Sequence, residues 1–346
     1  MAKHDKEVRM MGRDWLNLSS RQRSLWVERA VRYWRGRGFP YVELSHDEAE
    51  REILSLLRCV PQKMFTRDSL RVSTVGLRLA NYYHPQMWHV PVHDYKAPFE
   101  SFQDDACLRE CIRNSFRSFP DSNSVNARCL RATLKSYRRT TRVSNFRPTV
   151  ARALCDRYSD AGGKVLDFSA GYGGRLLGCV SLPRNYIGID PCTAQVTGLR
   201  AMAKLLKHKL PGTATIIQGC AEDEMLNFHR NSFDFVVSSP PFFNHERYAE
   251  EPTQSYIRYP SYEQWRKHFL EAVLRECHRV LKPGRILALS ATNPPGIPVM
   301  ADILEMHKPW FRLQRVIKMP IYRLPFQCNR AARAFKSASI LILAKS

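Results

Sequence analysis

Four short stretches in the second half of this chain carry residues whose types and spacing can do chemistry. Val165-Leu-Asp-Phe-Ser-Ala-Gly-Tyr-Gly-Gly-Arg175 is an apolar strand ending in an acidic residue, followed by a glycine turn and the start of a helix. Gly171 and Gly173 let the backbone approach a ligand closely, and the helix N-terminus behind them offers free N–H donors. Ile187-Gly-Ile-Asp190-Pro places a carboxylate at the end of the next strand, where it can accept both hydroxyls of a ribose. Gln218-Gly-Cys-Ala-Glu-Asp223 then sets polar groups at the end of a third strand, where an adenine ring would lie. The fourth stretch, Phe233-Asp-Phe-Val-Val-Ser-Ser239-Pro240-Pro241-Phe242, is an apolar strand running straight into a proline turn and an aromatic ring. Alone, the glycine turn also fits a tight strand-to-helix connection or a dinucleotide site, and the proline turn fits the end of a core strand.

Taken in this order, the stretches resemble the class I S-adenosylmethionine-dependent methyltransferase fold. The resemblance implies that Asp167, Ser169, Gly171 and Gly173 line the methionine and ribose end of the cofactor, and that Asp190 holds the ribose hydroxyls. Where that family usually has Gly-Asp-Ala, this chain has Gly219-Cys220-Ala221, so Glu222 or Asp223 is expected to serve the adenine. Ser144-Asn-Phe-Arg-Pro148 resembles the segment that closes over the methionine end in DNA amino-methyltransferases, which assigns Phe146 to the cofactor as well. The usual Asp-Pro-Phe-x-Gly-x-Gly of those enzymes is Asp167-Phe-Ser-Ala-Gly-Tyr-Gly173 here, so the assignment to that group rests on the loop at 239–242.

That loop resembles the Asp/Asn/Ser-Pro-Pro-Tyr/Phe loop of amino-methyltransferases, including the enzymes that methylate cytosine N4 and adenine N6 in DNA. An exocyclic amino nitrogen is a poor nucleophile because its lone pair is delocalised into the ring. The site must draw the pair out by accepting hydrogen bonds from both amino hydrogens, and Ser239 Oγ and the Pro240 carbonyl are the expected acceptors. Pro240 and Pro241 restrict the loop to few states, and Phe242 can stack on an extruded base. Serine at the first position leans toward cytosine N4. Pro191-Cys192, the dipeptide of cytosine C5 enzymes, follows the second strand and not the fourth, and is read as coincidence. Asn244 to Tyr262 is long, polar and aromatic, a candidate lid or base-contacting loop that includes Arg247.

The elements needed to position these residues are legible as alternation. Helix 149–159, strand 164–168, helix 174–180, strand 185–189, helix 193–207, strands 213–218 and 233–238, helix 261–281 and strand 285–290 follow one another, then strand-like runs Phe311–Pro320 and Ala338–Ala344. Alternation of this kind specifies an α/β fold: a Rossmann-like methyltransferase sheet, mostly parallel with an antiparallel last strand. Upstream, helical periodicity covers Leu16 to about Arg58 with a break at Gly36–Pro40 and a second helix from Asp47 to Leu57. Residues 73–103, rich in Tyr, His, Trp and Pro, are expected to be irregular or short strands serving packing. The expected division is a mainly helical, basic, target-contacting region at 1–143 and a catalytic domain at 144–346.

The 346 residues suffice for two such domains, and a formal charge of +22 gives a surface that attracts polyanions. Two acid-free basic segments sharpen this. Arg128 to Arg147 holds seven basic residues, and nine lysines and arginines follow Glu305. Arg138, Arg139, Arg142 and Arg247 are therefore assigned to nucleic acid, with DNA favoured over RNA. No metal is expected. Ten cysteines without a CxxC pair read as reduced, mostly buried thiols. No apolar run long enough for a membrane span and no leader-like N-terminus occurs, so the expectation is a cytoplasmic protein. The sequence leaves open an RNA or protein-side-chain amino-methyltransferase, a non-catalytic nucleic-acid-binding protein on the same fold, and a restriction or phage-defence partner.

Overall fold

A computed structural model describes residues 11–67, 69–122, 125–137, 140–320 and 337–346. Seven strands form one sheet: β1 (Lys164–Asp167), β2 (Asn185–Asp190), β3 (Thr213–Gln218), β4 (Phe233–Ser238), β5 (Leu281–Ala291), β6 (Phe311–Pro320) and β7 (Ser337–Lys345). Their order is β3-β2-β1-β4-β5-β7-β6. The first five run parallel, whereas β7 lies antiparallel to both β5 and β6. This is the expected Rossmann-like sheet with its antiparallel last strand. Strand order reverses between β1 and β4, and a doubly wound sheet opens its ligand crevice at such a switch point, beyond the C-terminal strand ends.

Burial explains why these segments are strands. All six residues of β4 are buried, as required of a parallel strand covered on both faces. One apolar layer contains Val165, Phe235, Val237 and Ile342 against helices carrying Val150, Leu154, Leu176 and Leu199. The opposite layer packs Leu166, Val236, Leu287 and Leu341 against Trp265, Phe269, Val273 and Leu274.

Three boundaries differ from the sequence expectation. The segment expected as one helix over 261–281 is Tyr262–Trp265, a π turn at Arg266–Glu271, and Ala272–Val280. The wider turn keeps Trp265, Phe269 and Leu270 on the buried face while Arg266 pairs with Asp302 at 3.2 Å. Strand β5 begins at Leu281, opposite Phe233, and regains register at Ile286 opposite Phe235 after a bulge at Pro283-Gly284. Residues 73–103 contain short helices, Leu77–Tyr82 and Pro98–Gln103, and a 3₁₀ turn at Pro85–Trp88.

The chain divides into two compact units. One draws its described residues from 11–43 and 87–143, and the other from 44–86, 144–320 and 337–346. This differs from a single cut at 143/144. The reason is apolar: Ile53, Leu56, Leu79 and Ala80 lie in the same core as Val150, Leu154 and Leu176, so 44–86 folds with the sheet. The other unit is mainly helical. Its helices include Ser20–Arg37, Asp105–Ser118 and Ala127–Leu134, capped by Ser19, Asp104 and Asn126. Trp15 stacks on Phe116 at 4.3 Å inside it. The nine described cysteines are all free thiols, and no helix among the described residues is long and apolar enough to cross a membrane.

Candidate active site

The four stretches meet at one edge of the sheet because β2, β1 and β4 are neighbours. Adjacent strands lie about 4.8 Å apart, so Asp190 at the end of β2 and Ser239 just after β4 are separated by roughly 10 Å across the sheet.

The glycine turn is built around a buried ion pair. Asp167, fully buried at the end of β1, accepts from Arg175 Nε at 2.7 Å, Tyr186 Oη at 2.8 Å, Ser238 Oγ at 2.8 Å and the Ser169 N–H at 3.3 Å. These four donors tie the end of β1 to the turn, to β2 and to β4. Arg175 also donates to the Ser169 carbonyl and lies over the Phe146 ring at 5.3 Å. Gly171 and Gly173 have φ of 59° and 73°, in the left-handed region that favours glycine. A Cβ on Gly173 would also lie 2.3 Å from Met202 Cε.

Asn145 fixes the segment carrying Phe146, donating to Asn81 Oδ1 at 3.0 Å and to the Tyr172 carbonyl at 2.9 Å. His84 packs edge-on against Tyr172 at 5.8 Å and is held neutral, burial pushing its pKa down to about 4. Its Nδ1 lies 2.8 Å from the Ala80 carbonyl.

Asp190 is buried, and its two oxygens accept the Gly171 N–H at 2.8 Å and the Cys192 N–H at 3.0 Å. Gln195, with its amide oriented to donate, reaches the same oxygens at 3.2 and 2.6 Å. Burial pushes the Asp190 pKa up to about 7 despite these donors. A pair of ligand hydroxyls donating to this carboxylate would favour its ionised form.

At the end of β4, Ser239 Oγ donates to the Ser290 carbonyl at 3.2 Å. The hydroxyl proton is thereby committed, leaving the oxygen's lone pairs to accept. Pro240 is buried, Pro241 and Phe242 are half-buried, and Phe242 packs on the core layer that contains Trp265. Phe243 then takes φ 52°, a conformation unfavourable for a bulky residue, and is held there by Tyr262 at 5.6 Å and Trp265 at 5.9 Å.

The segment after the loop is bonded across the ends of β2 and β3. Glu251 accepts from the Thr193 N–H at 3.1 Å, Thr253 Oγ1 donates to the Pro191 carbonyl at 3.3 Å, and Cys220 Sγ donates to the Thr253 carbonyl at 3.4 Å. Arg258 binds Glu222 at 2.6 Å and Asp223 at 2.8 Å, and Tyr259 Oη donates to Glu222 at 3.2 Å. Both carboxylates assigned to the adenine are thus engaged by the protein. Burial pushes the Glu222 carboxyl up while Arg258 pulls it down. Cys220, Glu222 and Asp223 have ligand atoms within 4.8 Å of one another, but the cation in contact with the two carboxylates is the Arg258 guanidinium.

Of the residues assigned to nucleic acid, Arg247 is exposed on the segment after the loop. Arg142 belongs to the helical unit, where it lies over Trp88 at 4.9 Å. Arg138 and Arg139 lie outside the described residues. Arg175, Gln195, Ser290, Phe243 and Arg258 were missed by sequence reasoning.

No family model matches the chain, and no curated protein matches it. Among solved structures it is similar to TrmN from Thermus thermophilus, at 18% identity over 57% of this chain and 49% of that one, with a TM-score of 0.40. It thus spans about half the length of that protein. It is also similar to an S-adenosylmethionine-dependent methyltransferase from Methanosarcina mazei (18% identity, 56% and 96% covered, TM-score 0.37). A third is a TehB-like S-adenosylmethionine-dependent methyltransferase from Corynebacterium glutamicum (16%, 59% and 90% covered, TM-score 0.38).

Proposed function

We propose that this chain transfers a methyl group from S-adenosylmethionine to the exocyclic amino group of a base in DNA. The observation that carries the reading is the Ser239 hydroxyl, whose proton is held by the Ser290 carbonyl, at the strand end two places along the sheet from the Asp190 carboxylate. The residues fit the cofactor. Asp190 stands at the end of β2 as the acceptor for the ribose hydroxyls, which would displace the Gln195 amide while the Gly171 and Cys192 N–H donors stay in place. Phe146 lies on the glycine turn.

When bound, the cofactor supplies an electrophilic methyl group on a sulfonium. Ser239 Oγ and the Pro240 carbonyl accept the two amino hydrogens, which draws the nitrogen lone pair out of the ring toward that methyl. Because the serine proton is already donated, Ser239 acts as acceptor and not as base, and the surplus proton leaves to solvent. Phe242 exposes part of its ring, on which an extruded base can stack, while Phe243 and the prolines hold the loop. Arg142 and Arg247, together with the basic run from Arg128, supply affinity for phosphates without reading sequence.

The test is incubation with labelled cofactor and separate DNA, RNA and protein pools, followed by identification of the modified nucleoside. N4-methylcytosine or N6-methyladenine from DNA is the expected product. Ser239→Ala should lower turnover on the order of a hundredfold with little change in affinity for cofactor or DNA. Full activity in that variant removes the acceptor role. Label in RNA or protein alone overturns the DNA assignment.

A further inference from the structure

The wall beside β3 has a feature that neither the glycine turn nor the amino-acceptor loop explains. Gln254 is 4% exposed, and its side-chain nitrogen is a buried donor with no hydrogen-bond partner among the described residues. Its backbone is satisfied: the N–H donates to Glu251 at 3.0 Å and the carbonyl accepts from Ile257 and Arg258, each at 2.9 Å. The neighbours fix where it sits. Thr253 bonds to Pro191 just past β2 and to Cys220 just past β3, and Ser255 Oγ accepts from Trp265 Nε1 at 3.0 Å. Gln254 is therefore held over the ends of β2 and β3, while Glu222 and Asp223 at the same place are taken by Arg258.

A buried amide with an unmet donor destabilises the protein unless something else satisfies it. A side-chain amide presents one donor beside one acceptor, which is the complement of an adenine edge, where the N6 amino group donates next to a ring-nitrogen acceptor. We propose that Gln254 reads the adenine of the cofactor, in place of the carboxylates at the end of β3. This rests on the cofactor reading above and deepens it.

The experiment is calorimetric titration of S-adenosylhomocysteine and of S-inosylhomocysteine, in which oxygen replaces the N6 amino group. Wild type should prefer the adenosyl compound by about tenfold or more, the discrimination given by one bidentate amide contact. Gln254→Leu should bring the two affinities together. Its melting temperature without ligand should stay or rise, because an unmet buried donor has been removed. Gln254→Met, closer in length, serves in its place if the leucine variant melts low. Wild type without a preference, or a variant that keeps the wild-type ratio, overturns the role of Gln254 and leaves the cofactor reading standing. Wild type that binds neither compound overturns both.

Discussion

At the glycine-turn wall, over β1 and β2, the buried carboxylate of Asp167 meets a buried guanidinium and three further donors, all from residues within or beside the strands. At the wall beside β3 the buried carboxylate of Glu222 meets Arg258, which arrives from a distant segment and is itself partly exposed. The first wall is part of the sheet's core. The second is closed by a separate piece of chain, tied to the ends of β2 and β3 through Thr253. On the proposed function, a site built this way would hold one end of the cofactor in a fixed frame and complete the other with the segment after the 239–242 loop.

The largest effect should come from breaking the first wall. Arg175→Met leaves the buried Asp167 carboxyl with two hydroxyl donors and one long N–H contact, so breaking this buried pair should cost about 3–5 kcal/mol in urea unfolding. It should also raise the Asp190 pKa further, since Arg175 is one of the charges that lowers it. A loss below about 1 kcal/mol would mean that the Asp167 carboxyl is held by its hydroxyl donors alone.

Asp190 sharpens the same wall through pH. Its folded pKa of about 7 lies above the ordinary value of 3.8, chiefly through burial. The protonated form is thus favoured in the fold, and that stability is fully present below about pH 4 and lost as pH rises through 7. Ribose hydroxyls donate to the ionised form, so cofactor affinity runs the other way. S-adenosylhomocysteine should bind about tenfold more weakly at pH 6 than at pH 8, with the ligand-free protein more stable at pH 6. Affinity independent of pH over that range would remove Asp190 from the ribose.

The two walls were not equally legible. β1, β2 and β4 follow from short apolar runs that end in Asp167, Asp190 and Ser238, and the glycine turn between the first strand and its helix is local, so spacing along the chain is enough. Arg175 was within reach too: it stands eight residues after Asp167, at the start of the helix that a glycine turn must point back toward the strand. The pairing of Arg258 with Glu222 spans 36 residues, with the whole of β4 between them, and leaves no periodic signal. The same holds for Ser290, which meets Ser239 only because β5 is laid beside β4. Residues 44–86 joined the sheet unit through Ile53, Leu56 and Leu79, whose helical spacing shows that they are buried but not against what.

The smallest expected effect tests the second wall. Arg258→Gln removes the guanidinium from Glu222 and Asp223 while keeping a polar side chain of similar reach. Glu222 then has Tyr259 as its remaining side-chain donor, and its carboxyl, already raised by burial, should rise further. A carboxyl whose folded pKa lies above its ordinary 4.5 contributes most to stability when protonated, and that contribution fades as pH climbs through the folded value. The variant should therefore be close to wild type at pH 5 and less stable by on the order of 1 kcal/mol at pH 8, between the values for exposed and buried pairs. Urea unfolding of both proteins at the two pH values measures this. An equal cost at both would mean that Arg258 acts through packing on Tyr259, 5.4 Å from its ring, and not through the Glu222 charge. In that case the contrast between a charge-locked core wall and a charge-latched segment would fail at its weaker side.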